Sequence, residues 1–164
     1  MTIVILLHLN LKFNTMYSQL FLRVAVATAF LSAVADRFGL WGPPGSANAS
    51  WGNWANFVQY ANQLNFFMPA PLANLMAILA TLFEVILAVL LLIGYRTRLS
   101  AILSGVLLTA FAITMTLSLG IKSTFNYSVW IGAAACFLLG TIKTFPYSID
   151  GLIIGHQLPL STKK

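Results

Sequence analysis

Apolar positions run through this chain in long blocks, with polar residues confined to short breaks between them. The longest block lies between Leu72 and Ile93 and carries one charge, Glu84, near its middle. About 20 apolar residues cross a hydrocarbon core of roughly 30 Å, so this block predicts a transmembrane helix. Arg96 and Arg98 follow it directly, which suits a cytoplasmic end. Three further blocks have the same character, at about residues 17–35 (with Arg23 inside), 99–119 and 127–142, the last being shorter and rich in Ala and Gly. The predicted fold class is all-α, a four-helix transmembrane bundle.

The breaks add detail. Residues 36–69 open with Asp36 and Arg37, pass through the stiff turn WGPPG, and then change pattern. Trp51, Trp54, Phe57, Val58, Ala61, Leu64 and Asn65 recur at helical spacing, with Asn53, Asn56, Gln59 and Asn62 between them. This predicts an amphipathic interfacial helix in the long outer loop between the first two spans, rich in the Trp and Tyr found at membrane–water boundaries. An ordinary ordered loop is the alternative. Residues 1–15 are too short and wrongly laid out for a span or a signal peptide, and Met16 stands just ahead of the first span. They are expected to be an N-terminal extension, untranslated or disordered. The membrane domain is then 16–145. The tail, 146–164, has a Ser148–Ile149–Asp150 helix start and predicts a short surface helix. With the N-terminus inside, the inner side carries Lys12, Arg96, Arg98, Lys143, Lys163 and Lys164, and the outer side only Arg37 and Lys122. That bias places both termini in the cytoplasm.

Composition narrows the function. Hydrophobic residues make up 59% and charged residues 7%, against about 25% charged in soluble domains, so the lipid bilayer is the first partner. The net charge of +6 is spread singly or in pairs at span ends, without the clustered basic face that nucleic acid requires. Cys136 is a lone cysteine, and His8 and His156 lie in opposite terminal segments, so no disulfide, dithiol or metal site is expected. There is no nucleophile–base pair or phosphate loop, and an autonomous enzyme is not expected.

Small residues recur every three or four positions in each span, as close helix packing in lipid requires. The stripes are Ala25, Ala29, Ser32 or Ala33 and Asp36; Ala73, Ala77, Ala80 or Thr81, Glu84 and Ala88; Ala101, Gly105, Thr109, Ala112 and Thr116; and Ser128, Gly132, Cys136 and Gly140. Cys136 reads as a packing residue. A carboxylate at mid-bilayer costs about 2.5–3.5 kcal/mol, so Glu84 needs a partner. Arg23 lies at a comparable depth and is the expected one, forming an intramembrane polar site. In the alternative, Arg23 snorkels to the headgroups and Glu84 stays protonated. Arg23 faces away from the Ala25/Ala29 stripe, which counts against the pair.

Four stretches taken in order carry a resemblance: RVAVATAFLSAVADRFGLWG, SWGNWANFVQYANQLN, EVILAVLLLIGYRTRLSA and AFAITMTLSLGIKS. Together they resemble the DoxX family over roughly Phe21 to Ile149. The resemblance implies a small bacterial inner-membrane protein, linked in some members to redox partners and quinones. A quinone would then meet Arg23 and Glu84, with Asp36, Arg37, Trp41, Trp51 and Trp54 forming the outer mouth. Dithiol chemistry of the kind some relatives use has no second cysteine here. The expected function is an accessory or anchoring subunit of a quinone-linked redox system. A non-catalytic scaffold or receptor and a small-solute or proton-coupled carrier are the alternatives.

Overall fold

The computed structural model describes the backbone of residues 2–157 and the side chains of residues 15–153. Among the described residues every regular element is a helix: α1 (Thr2–Arg37), α2 (Trp54–Leu64), α3 (Ala70–Ile93), α4 (Thr97–Leu119), α5 (Ile121–Asn126), α6 (Val129–Thr141) and α7 (Ile149–Gln157). Three segments have the length and hydropathy to cross a membrane, Thr15–Arg37, Ala70–Ile93 and Thr97–Leu119, and Val129–Thr141 is a shorter apolar helix. The bundle is thus the predicted one, a helical membrane protein. From Thr2 onward the backbone of the expected extension at 1–15 runs as the first turns of α1, and its side chains before Thr15 lie outside the described residues.

The long helices run alternately up and down. Arg23 of α1 meets Leu91 and Leu92 of α3, whereas Arg37 meets Thr81 and Glu84, so the two are antiparallel. α4 and α6 pack most closely. Gly105 faces the Phe137 ring, and Gly140 faces Ile102, where a β-carbon would lie 2.7 Å from it. Gly132 approaches Leu108 more loosely, and Cys136 between them is fully buried. The outward faces are apolar instead: Leu82, Phe83, Ile86 and Val89 on α3, and Val106, Ile113 and Leu117 on α4, are all exposed. A belt of this kind matches hydrocarbon and would be a liability in water.

Two details depart from expectation. The buried face of α1 is Gln19, Arg23, Val26, Ala27 and Phe30, with Asp36 and Arg37 at its end, while Ala29 and Ser32 are exposed. Ala29 and Ser32 of the small-residue stripe therefore turn outward and Ala25 is half-buried, while Asp36 stays inside, because Arg23 and Arg37 both need partners within the bundle. The break between the blocks at 99–119 and 127–142 holds the short helix α5, and the fourth block becomes helical at Val129. Buried Thr124 accepts a hydrogen bond from Trp130 Nε1 at 3.0 Å, which ties α5 to the first turn of α6.

Each end of the bundle is closed by a different segment. At one, the cap end, α2 lies across the helices with Phe57, Ala61 and Leu64 buried, as the amphipathic pattern predicted. Asn53 caps it, accepting from Asn56 N–H at 2.8 Å. At the other, the tail end, Phe145 and Ser148 are buried, and the Ser148 hydroxyl caps α7 by accepting from Gly151 N–H at 3.0 Å.

Candidate functional site

The polar interior is divided between these two ends. At the cap end, Thr81 is first fixed by its own helix: its hydroxyl donates to Ala77 O at 2.9 Å. Its free lone pair then accepts from Arg37 Nη1 at 2.7 Å. The same Nη1 donates to Glu84 Oε2, forming a buried ion pair in which both side chains are 3% exposed. Arg37 Nε is buried without a hydrogen-bond partner.

Aromatic rings close over this pair. The Arg37 guanidinium carbon lies 3.9 Å from the Phe57 ring centroid and 5.5 Å from that of Trp51. Cation–π contact of this kind strengthens as water is removed. Trp51 meets Phe57 edge-on at 5.1 Å, and Trp54 stacks on Phe38 at 6.0 Å. Asp36 anchors the loop that carries Trp51. Its carboxylate accepts the N–H groups of Ser50, Trp51 and Gly52 at 2.9, 3.0 and 3.3 Å. Gly52 has φ +67, and a β-carbon there would collide with the backbone of Pro43 and Pro44, so the WGPPG turn seats against it. Trp41 stands apart; it is exposed, with its indole N–H donating to Ser32 O at 3.0 Å.

At the tail end, Arg23 is 0% exposed. It donates through Nε to Leu91 O at 2.9 Å and through Nη2 to Leu92 O at 3.1 Å. Nη1 reaches Tyr147 O at 3.3 Å and Gln19 Oε1 at 3.4 Å. Gln19 in turn donates to Pro146 O at 3.1 Å. Leu91 and Leu92 are in the last turn of α3, where carbonyls lack helical partners and the dipole is negative. Arg23 thus binds the Leu91 and Leu92 carbonyls, while the Gly94 and Tyr95 N–H groups take that of Leu90. Gly94 ends that helix at φ +68, and a β-carbon there would run into the Arg23 guanidinium.

The expected partnership of Arg23 with Glu84 is therefore replaced. Glu84 pairs with Arg37, and Arg23 binds carbonyls about seven residues further along α3. The signal was present in the spacing. Arg23 and Arg37 are 14 residues apart, close to four turns, so they share one face of α1. Asp150 was expected only as part of a helix start, and its role on α4 was missed: its carboxylate accepts Arg96 N–H at 2.8 Å and Thr97 N–H at 2.7 Å, capping α4 from the tail. Among the described residues no group of His, Cys, Asp and Glu could hold a metal ion.

The family model for "Methylamine utilisation protein MauE" matches residues 15–126, well over half of the chain. The chain belongs to the MauE family. The match is to MauE and not to DoxX, so the DoxX resemblance carries the helical membrane architecture and not the family assignment. The MauE-matched region holds both buried arginines, Glu84 and the whole aromatic cap, and it ends before α6 and Cys136. No curated protein and no solved structure matches the chain.

Proposed function

We propose that this MauE-family chain is an accessory or anchoring membrane subunit of a redox system serving methylamine utilisation, and that it works by presenting its capped end to a partner. The observation that carries this reading is the Arg37–Glu84 pair sealed beneath Trp51 and Phe57. The buried charges hold a loop-and-helix cap in one place over the bundle, which a docking platform requires. Cys136, the lone thiol, is fully buried and takes no part at that surface.

The membrane domain at 16–145 would sit in a bacterial inner membrane with both termini cytoplasmic. Supporting this, Arg96, Arg98 and Lys143 gather at the tail end, leaving Arg37 and Lys122 for the other side. A quinone link is the finer form of the reading. It is supported by Arg37 Nε, a buried donor without a protein partner beside two aromatic rings, chemistry suited to a ligand carbonyl.

The test is purification from native membranes in mild detergent after crosslinking from Gln59 on the exposed face of α2. A redox-active subunit joined at that position, and quinone in the solvent extract, are expected. Recovery of the chain with neither overturns the reading.

A further inference from the structure

An opening lies at the tail end, away from the sealed Arg37–Glu84 pair. It is a cleft of about 380 Å³ lined by Arg98, Ile142, Lys143, Phe145, Asp150 and Ile153. Three elements build it. Arg98 is the second residue of α4, and Lys143 follows the last turn of α6, so both stand where their helices leave the apolar layer. Gly140 lets the two helices close at this level, with Arg98 O only 3.7 Å from where its β-carbon would be. The chain then leaves α6 in extended form at Ile142 and turns through Phe145 into α7, which sets Ile153 on the remaining wall.

The charges here are not balanced locally. Asp150 is the one acid in the lining, and both of its oxygens are committed to the Arg96 and Thr97 N–H groups. Among the described residues, neither Arg98 nor Lys143 has a hydrogen-bond or ion-pair partner. Two cations from different helices thus flank a cleft whose other walls are apolar except for Asp150, which leaves one net positive charge in the lining. Basic pockets between membrane helices at this depth recognise phosphate-bearing lipid headgroups.

We propose that this cleft binds the phosphate of an anionic phospholipid, held between Arg98 and Lys143, with an acyl chain lying along Ile142 and Ile153. The site is independent of the capped Arg37–Glu84 pair and of any redox partner. A free phosphate ion shares the headgroup chemistry but has no use for the apolar walls.

The test is native mass spectrometry of the detergent-purified full chain with phosphatidylglycerol, phosphatidylcholine or inorganic phosphate added at equal concentration. Retained phosphatidylglycerol, in clear excess over phosphatidylcholine, is the expected result. Arg98→Gln and Lys143→Gln should each weaken it about fivefold, corresponding to about 1 kcal/mol per cation. The double variant should lose it, and Lys122→Gln at the other end should leave it unchanged. The exchange pair Arg98→Lys with Lys143→Arg keeps both charges and should keep the lipid, which separates loss of charge from loss of fold. Equal retention of phosphatidylcholine, or binding that survives the double variant, overturns the proposal. Inorganic phosphate that displaces the lipid at equal concentration also overturns it, by assigning the cleft to the free ion.

Discussion

The two ends of the bundle solve the same problem in different ways. Each buries an arginine of α1 against α3. At the cap end Arg37 is neutralised by a carboxylate, and at the tail end Arg23 is satisfied by the carbonyls that end a helix. The first arrangement rests on two charges that must stay together. The second rests on backbone that is present whatever the side chains are. A mutation at the cap end can therefore strand a charge in a dry interior, whereas one at the tail end removes a donor and leaves neutral carbonyls behind. Stranding a buried charge is the costlier event.

This difference orders the expected effects of substitution. Glu84→Gln leaves Arg37 buried and uncompensated, and should lower stability by about 3 kcal/mol in denaturant titration of the purified protein. An effect smaller than that of the tail-end variants would reverse the ranking. Arg23→Met should cost about 2 kcal/mol, since two α3 carbonyls lose a charged donor. Hydrogen exchange at Gly94 and Tyr95, whose N–H groups both bind Leu90 O, should quicken as that helix end loosens. Asp36→Ala removes the acceptor for three loop N–H groups and should cost about 1–2 kcal/mol. Protease cutting within residues 42–50 should rise in that variant, while the tail end stays protected. Asp150→Ala should have the smallest effect, about 1 kcal/mol, through loss of the cap on α4.

Much of the architecture was legible because lipid imposes a simple rule on sequence: uninterrupted apolar length. The α3 and α4 boundaries fell within two residues of the blocks that predicted them. The α2 pattern of Trp54, Phe57, Ala61 and Leu64 also translated directly into a helix with its apolar side turned inward. The polar interior was less legible, and α1 shows why. Small residues at intervals of four mark a packing face only when nothing stronger competes. Here two arginines on another face need buried partners, and satisfying them turns Ala29 and Ser32 outward. Arg37 was hidden by its position beside the loop, since a charge at a span end ordinarily points to water. The long loop folds back through Asp36 and removes that water. Helix ends such as Leu91–Leu92 carry no side-chain signal at all, so the spacing could set Arg23 on the face of Arg37 but could not name its carbonyl partners.

Glu84 and Arg37 form one energetic unit beneath the aromatic cap. A double-mutant cycle with Arg37→Gln and Glu84→Gln, read by denaturant titration, tests it most directly. The two substitutions should couple by about 2 kcal/mol, while Arg23→Gln and Glu84→Gln should add to within about 0.5 kcal/mol. Additivity in the first cycle, or strong coupling in the second, would contradict the account.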